Sequence, residues 1–327
     1  MDPYFKISMN LKRYIKGIDK LWYERYHNFI MHLKDKKDYN PILVAQNPNT
    51  NIIQLLQDSD LVEFLDVFVC NPNVNSQLIN SMSDVEWNMS MFPQKSYISI
   101  EFIVKNIKKF NFNWHSLAAN PYFTMKDIIY YERLPWNFNG VCNNPNLNWY
   151  YVKLFHEQGK KLDWYAISKH PNITMEDIKK NSKYPWDTNG MCLNPNLTSE
   201  FIKTNPGVKW NYMLLSENPS IKLRFIFKNT DKPWSWVKIS SHPRLTIGII
   251  QKFPKLGWNW YHISANPAFN LDIVRKYPKY PWSYRGFSKN PNIDMNTVLS
   301  NIQIGWDFNE LCSNTFDGEK NKFYAYE

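Results

Sequence analysis

Four cysteines, seven histidines and a recurring pair of lysines are the residues of this chain whose types and spacing could carry chemistry. A zinc site read from sequence needs closely paired thiols or imidazoles. Cys70, Cys142, Cys192 and Cys312 form no Cys-x-x-Cys pair and lie far apart. Cys142, Cys192 and Cys312 instead occupy one recurring position, three residues before a repeated proline slot, which Ser168, Ser216, Ser240, Ser264, Ser288, Ala45 and Ala118 fill elsewhere. The position accepts any small side chain, so the thiols read as packing residues, and no metal or disulfide is expected. His170 and His242 stand where most repeats have asparagine, and His27, His32, His115, His156 and His262 are scattered. There is no His-Glu-x-x-His helix, no Gly-x-Ser-x-Gly elbow and no Gly-rich phosphate loop ending in Gly-Lys-Ser/Thr. No catalytic residue and no cofactor is expected.

The lysines recur. Nine residues after the proline slot stand Lys105, Lys180, Lys228, Lys252 and Lys276, and three further on stand Lys108, Lys183, Lys255 and Lys279. That spacing is one helical turn, near the end of a helix. Stacked repeats would align the pairs as a ladder with rungs about 10 Å apart. Such lysines can simply complement the helix dipole and stay solvated, the ordinary reading of a lysine run. They can also bind phosphates as a stripe.

The elements that would position these residues follow from a repeat. Pro171, Pro195, Pro219, Pro243, Pro267 and Pro291 are spaced by 24 residues each, and Pro48, Pro72, Pro121 and Pro145 extend the series backwards. One missing member falls at Ser96, and Thr315 fills the last slot. A period of this length signals an array of stacked supersecondary units. Eight residues before the slot stand helix-capping types such as Asn113, Asp163, Asn211 and Ser235, each preceded by an aromatic or aliphatic residue, most often tryptophan (Trp136, Trp186, Trp210, Trp234, Trp258, Trp282, Trp306). Three residues after the slot stand Thr124, Asn148, Thr174, Thr198, Thr246, Asn270 and Asp294, with Lys222 the exception. An apolar residue follows each cap by four, which completes a hydrophobic staple. The pattern predicts two short helices per repeat. The Asn or His before each proline is expected to end the first helix in a left-handed conformation. Gly140 and Gly190 fall inside first helices and are expected to permit close backbone approach.

Composition agrees with a folded chain: 43% hydrophobic, 17% aromatic and 21% charged residues, with net charge +10. The basic balance suits polyanions, though it also serves solubility alone. No apolar run is long enough to span a membrane, and the N-terminus lacks a signal-peptide core. An intracellular location, no membrane partner and reduced thiols are expected.

The unit seen in "WYAISKHPNITMEDI" and "WNYMLLSENPSIKLRFI" resembles the Trp/Asn-Pro repeat proteins encoded in multiple copies by giant DNA viruses of amoebae, the mimivirus-like group. The resemblance covers roughly residues 39–315 and implies a viral protein acting in the host cell or packaged in the virion. It carries over no functional residue. The fold expected is all-α: a right-handed superhelical α-solenoid of about twelve 24-residue helix-turn-helix repeats over residues 39–315, an N-terminal helical cap over 1–38, and a tail over 316–327. The function expected first is a non-enzymatic scaffold for protein–protein interaction. Its partner surface is expected at exposed slots that vary between repeats, one of them directly after the proline, where Asn172, Ser220, Arg244 and Ala268 stand. The alternative is electrostatic binding of RNA or DNA by the lysine ladder.

Overall fold

The structure, a computed structural model, describes residues 17–34, 40–50, 65–82, 87–92 and 97–326. The Ser96 slot and, of the expected N-terminal cap, residues 1–16 and 35–38 lie outside the described residues. All regular structure among the described residues is helical. The chain divides into two compact units, one of Met1–Phe112 with Trp260–Glu327, the other of Asn113–Asn259.

Both units are built from the same pair of short helices. In the second unit, Trp164–Lys169 is followed by Met175–Lys180, Thr188–Leu193 by Ser199–Thr204, and Trp236–Ser240 by Ile247–Lys252. Helices of five or six residues cannot persist alone in water, so their ends and their neighbours must hold them. The ends are held by the capping residues read from the sequence. Asp163, Asp187, Asn211 and Ser235 accept a backbone N–H of the first helix. Thr174, Thr198 and Thr246 do the same for the second, and Thr124 and Thr174 complete reciprocal boxes with Asp127 and Asp177. Asn88 makes no side-chain cap bond and begins only a short 3-10 turn. Lys222 also caps nothing, although its backbone is extended as a cap requires. Lys222→Asn is therefore expected to stabilise the protein by about 1 kcal/mol, seen as a higher urea midpoint; an unchanged midpoint would show that the cap site is strained.

The residue before the proline is not left-handed. Asn47, His170 and Asn194 have φ between −68° and −71° and ψ between 126° and 135°. Proline favours this extended conformation in the residue before it, and Asn314, which precedes Thr315, adopts it without a proline. The recurring chemistry lies in the side chain. The Asn194 amide is fully buried and donates to the carbonyls of Ser168, His170 and Ile173 in the preceding repeat, at 2.9, 3.2 and 2.9 Å. Its Oδ1 accepts from the N–H of Asn196. Asn144 and Asn290 repeat this set on their own predecessors. One amide thus satisfies the open carbonyls at the end of a helix and its corner, groups that would be costly if buried unpaired.

Two further rungs run beside this one. Asn146, Asn172 and Asn196 donate to Pro121, Pro145 and Pro171 at 2.7 Å, and Ser220 donates to Pro195. The hydroxyls of Ser168, Ser216 and Ser240 accept the N–H of Asp187, Ser235 and Asn259, the next repeat's cap residues, at 2.9 Å. The Cys142 thiol takes the same place for Asp163 at 3.3 Å. The small-residue slot is therefore a hydrogen-bond acceptor as well as a packing position.

Tryptophan joins the same interface. The indole N–H of Trp136, Trp186, Trp210, Trp234, Trp258, Trp282 and Trp306 donates to the carbonyl five residues earlier, at the end of the preceding second helix. Gly140, Gly190 and Gly286 lie where a Cβ would fall 2.3 to 2.5 Å from the backbone oxygens of His115, Tyr165 and Tyr261. Close approach of successive first helices thus requires glycine at these positions.

Candidate functional site

All nine ladder lysines are exposed. In the second unit, Lys180 with Lys183, Lys228 alone, and Lys252 with Lys255 mark the ends of three second helices. Thr204 and Gly207 take the two positions in the repeat between the first and second of these helices. Lys105, Lys108, Lys276 and Lys279 belong to the other unit. Lys180 lies 3.3 Å from Glu176 on its own helix. Lys183, Lys252 and Lys276 approach the rings of Tyr184, Phe253 and Tyr277 at 5.4 to 5.7 Å. Basic residues elsewhere face carboxylates across repeats, as Lys238 does Glu217 at 3.2 Å and Arg285 does Asp307 at 2.9 Å.

The slot after the proline does not present a free variable surface. Asn172 and Ser220 spend their side chains on Pro145 and Pro195 of the repeat before. The position that varies while exposed lies on the first helix, six residues before the proline. It carries His115, Asn139, Tyr165, Asn189, Met213 and Val237 in the second unit, all exposed. Met213 is 62% exposed, Val237 40% and Tyr165 38%. Sequence reasoning missed this row, because the helical face turned to solvent depends on how the repeats stack.

A cavity of about 490 Å³ in the first unit is lined by Phe269, Asp272, Arg275, Asn290, Asp294 and Lys322 among others. Its two carboxylates are already engaged: Asp272 pairs with Arg275 at 3.0 Å and Asp294 caps the helix Met295–Ser300. Among the described residues no group of three or more His, Cys, Asp or Glu side chains is placed to hold a metal ion, and no helix is long and apolar enough to cross a membrane. Burial raises the thiols of Cys142 and Cys312 to about 11, and that of Cys192 in the same direction, which leaves them protonated and unreactive at neutral pH. No protein family, curated protein or solved structure matches the chain.

His170 and His242 do the work of the ladder asparagines. His170 Nε2 contacts the Asn144 carbonyl at 2.9 Å, and its Nδ1 accepts the N–H of Asn172. His242 Nδ1 accepts from Arg244. Burial holds both imidazoles below the ordinary histidine value, outweighing the raising effect of the Asn144 and Ile221 carbonyls. A depressed folded pKa gives stability that is complete above the unfolded pKa of about 6.5 and is lost as pH falls through the folded value. The double variant His170→Asn/His242→Asn keeps the rungs and removes this loss. It should match the wild type near pH 8 and outlast it in thermal melts below pH 6; parallel pH profiles would refute the assignment.

Proposed function

We propose that the protein is a non-enzymatic repeat scaffold that binds a protein partner on the first-helix face of residues 113–259. The observation that carries this reading is the row Tyr165, Met213 and Val237, apolar and exposed on a frame whose buried slots are filled by hydrogen-bonded asparagine. A fixed ladder with one variable exposed slot suits recognition by accumulated contacts, as in other repeat proteins. The finer architecture belongs to the same proposal: an α-solenoid of about twelve repeats, each following the last in a right-handed superhelical sense. So does a viral origin in the group that the motif resembles, with action in the host cell or virion. A photo-crosslinking residue at position 213, used in nuclease-treated lysate of infected amoebae, should capture a discrete protein that is lost in Tyr165→Ser/Val237→Ser. Failure to capture one would remove this reading.

The exposed lysines favour a second reading, electrostatic binding of RNA or DNA. Such binding should weaken steeply with salt, by roughly the counterion release of a few phosphate contacts. Lys180→Glu/Lys228→Glu/Lys252→Glu/Lys276→Glu should abolish it without lowering the melting temperature. Unchanged affinity for a 30-nucleotide strand in that variant would exclude the ladder.

A further inference from the structure

The first and last repeats, both in the first unit, meet through the bonds that join successive repeats elsewhere. The Asn47 amide donates to the carbonyls of Cys312 and Asn314 at 2.9 and 3.0 Å. Asn194 contacts Ser168 and His170 in the same register. Asn49 donates to the carbonyl of Thr315, the residue in the proline slot, at 2.9 Å, as Asn196 does to Pro171. The Cys312 thiol also lies beside the backbone of Asn40, the cap of the first described first helix, as the Cys192 thiol lies beside that of Asn211. Two different rungs thus repeat at the chain ends in one register.

A second set of contacts covers this junction. The segment after Thr315, expected as a tail, forms the helix Asp317–Tyr326. Its Glu319 pairs with Arg25 of the helix Gly17–Lys34 and accepts the N–H of Met295 at 2.8 Å. Phe323 lies 5.5 Å from the ring of the fully buried Trp22, whose indole N–H donates to Asn49. Lys320 also reaches Asn49, at 3.1 Å. Phe316, buried between Tyr26 and Phe29, holds φ of 51°. A left-handed phenylalanine is uncommon and persists only where its surroundings impose it.

We infer that the repeat ladder is continuous across the chain ends, with the first repeat docked as the successor of the last, and that the helix Asp317–Tyr326 is a strap that reserves this docking face for the chain's own end. The face of the first repeat is then an interaction surface whose fitting partner is a final repeat of this same sequence. While the strap is in place that partner is intramolecular. Without it, the end of a second copy can compete, and head-to-tail association follows.

The test compares rungs in the full chain. Asn47→Ala should lower the melting temperature by about 4–8 °C, similar to Asn290→Ala in the same unit. A change of less than about 1 °C, as at a free end, would overturn the junction. In the unmodified chain, the amide of Asn40 should exchange with deuterium as slowly as those of Asp187 and Asp307, which meet serine hydroxyls in the same register. Rapid exchange at Asn40 alone would have the same negative meaning. The strap is read separately in chain 1–316 by sedimentation. Association that grows with concentration supports it, and a chain 1–316 that stays monomeric overturns it. None of these readouts depends on the protein-binding face proposed above.

Discussion

Replacing Asn194 by alanine is expected to cost about 3–5 kcal/mol and to open the boundary between the repeats at Pro171 and Pro195. The amide is fully buried and serves three carbonyls. The carbonyls of His170 and Ile173 keep a second donor, the N–H of Ile173 and the Asn196 amide, both at 3.0 Å. The Ser168 carbonyl loses its amide partner at a cost of about 1–3 kcal/mol, the other two lost bonds add about 1 kcal/mol, and the vacated volume adds to it. Asn194→His should lose far less at pH 8, because His170 already holds an equivalent rung with an imidazole. Urea unfolding followed by far-UV circular dichroism measures the order of midpoints: wild type, then His, then Ala. An alanine variant within about 1 kcal/mol of the wild type would mean that water replaces the amide, and that the ladder contributes specificity but little stability.

The parts of this fold legible in the sequence are those set by neighbours in the chain. The caps at Thr174, Asp187 and Asn211 were readable because a capping side chain meets a backbone N–H only two or three residues away. Glycine at 140 and 190 was readable because the surrounding helix pattern admitted no turn there. The ladder was not, because the partners of Asn194 lie 21 to 26 residues back. Its local effect, an extended residue before proline, is the same for any side chain. One signal did exist. Before every proline of the series, and before Thr315, the slot carries Asn or His, with Lys95 before Ser96 the exception, and Asn and His share a donor and an acceptor on one planar group. A slot chosen merely to end a helix would also have admitted Gly, Ser or Asp. The end-to-end junction had a similar trace. Asn47 and Asn49 keep their donors although residues 1–38 show no repeat pattern, and Cys312 and Asn314 keep their slots although the pattern fades after Thr315. The candidate surface was the least legible part. Tyr165, Met213 and Val237 share a solvent face only after the glycine contacts and the asparagine rungs have set the rotation of each first helix. The lysine positions, by contrast, were read correctly as exposed, since a residue near the end of a short second helix faces away from the staple.

Trp234→Ala tests the remaining element of the interface. The hydrophobic staple places Trp234 on the buried side of its repeat. It is buried, at 6% exposure, and the ring contacts it makes are edge-on to Tyr212 at 5.0 Å and to Phe225 at 6.1 Å. Its indole N–H donates to the carbonyl of Asn229 at 2.6 Å. All three partners belong to the repeat at Pro219, while Trp234 itself introduces the first helix of the repeat at Pro243. The side chain therefore works between repeats, as a clamp from one onto the helix pair before it. Truncating an aromatic in such a position costs about 3–5 kcal/mol. Trp234→Phe separates the two contributions, because it keeps an aromatic ring beside Tyr212 and leaves the Asn229 carbonyl without its indole donor; its loss should be near 1 kcal/mol plus the smaller ring's burial. In an array stabilised by nearest neighbours, the damage stays at the boundary where it is made. Hydrogen exchange of Trp234→Ala should show protection falling first across residues 210–250, with residues 137–180 nearly unaffected. An even loss along the whole of residues 113–259 would show that this unit unfolds as one body, and that the repeats are coupled more strongly than nearest-neighbour stacking provides.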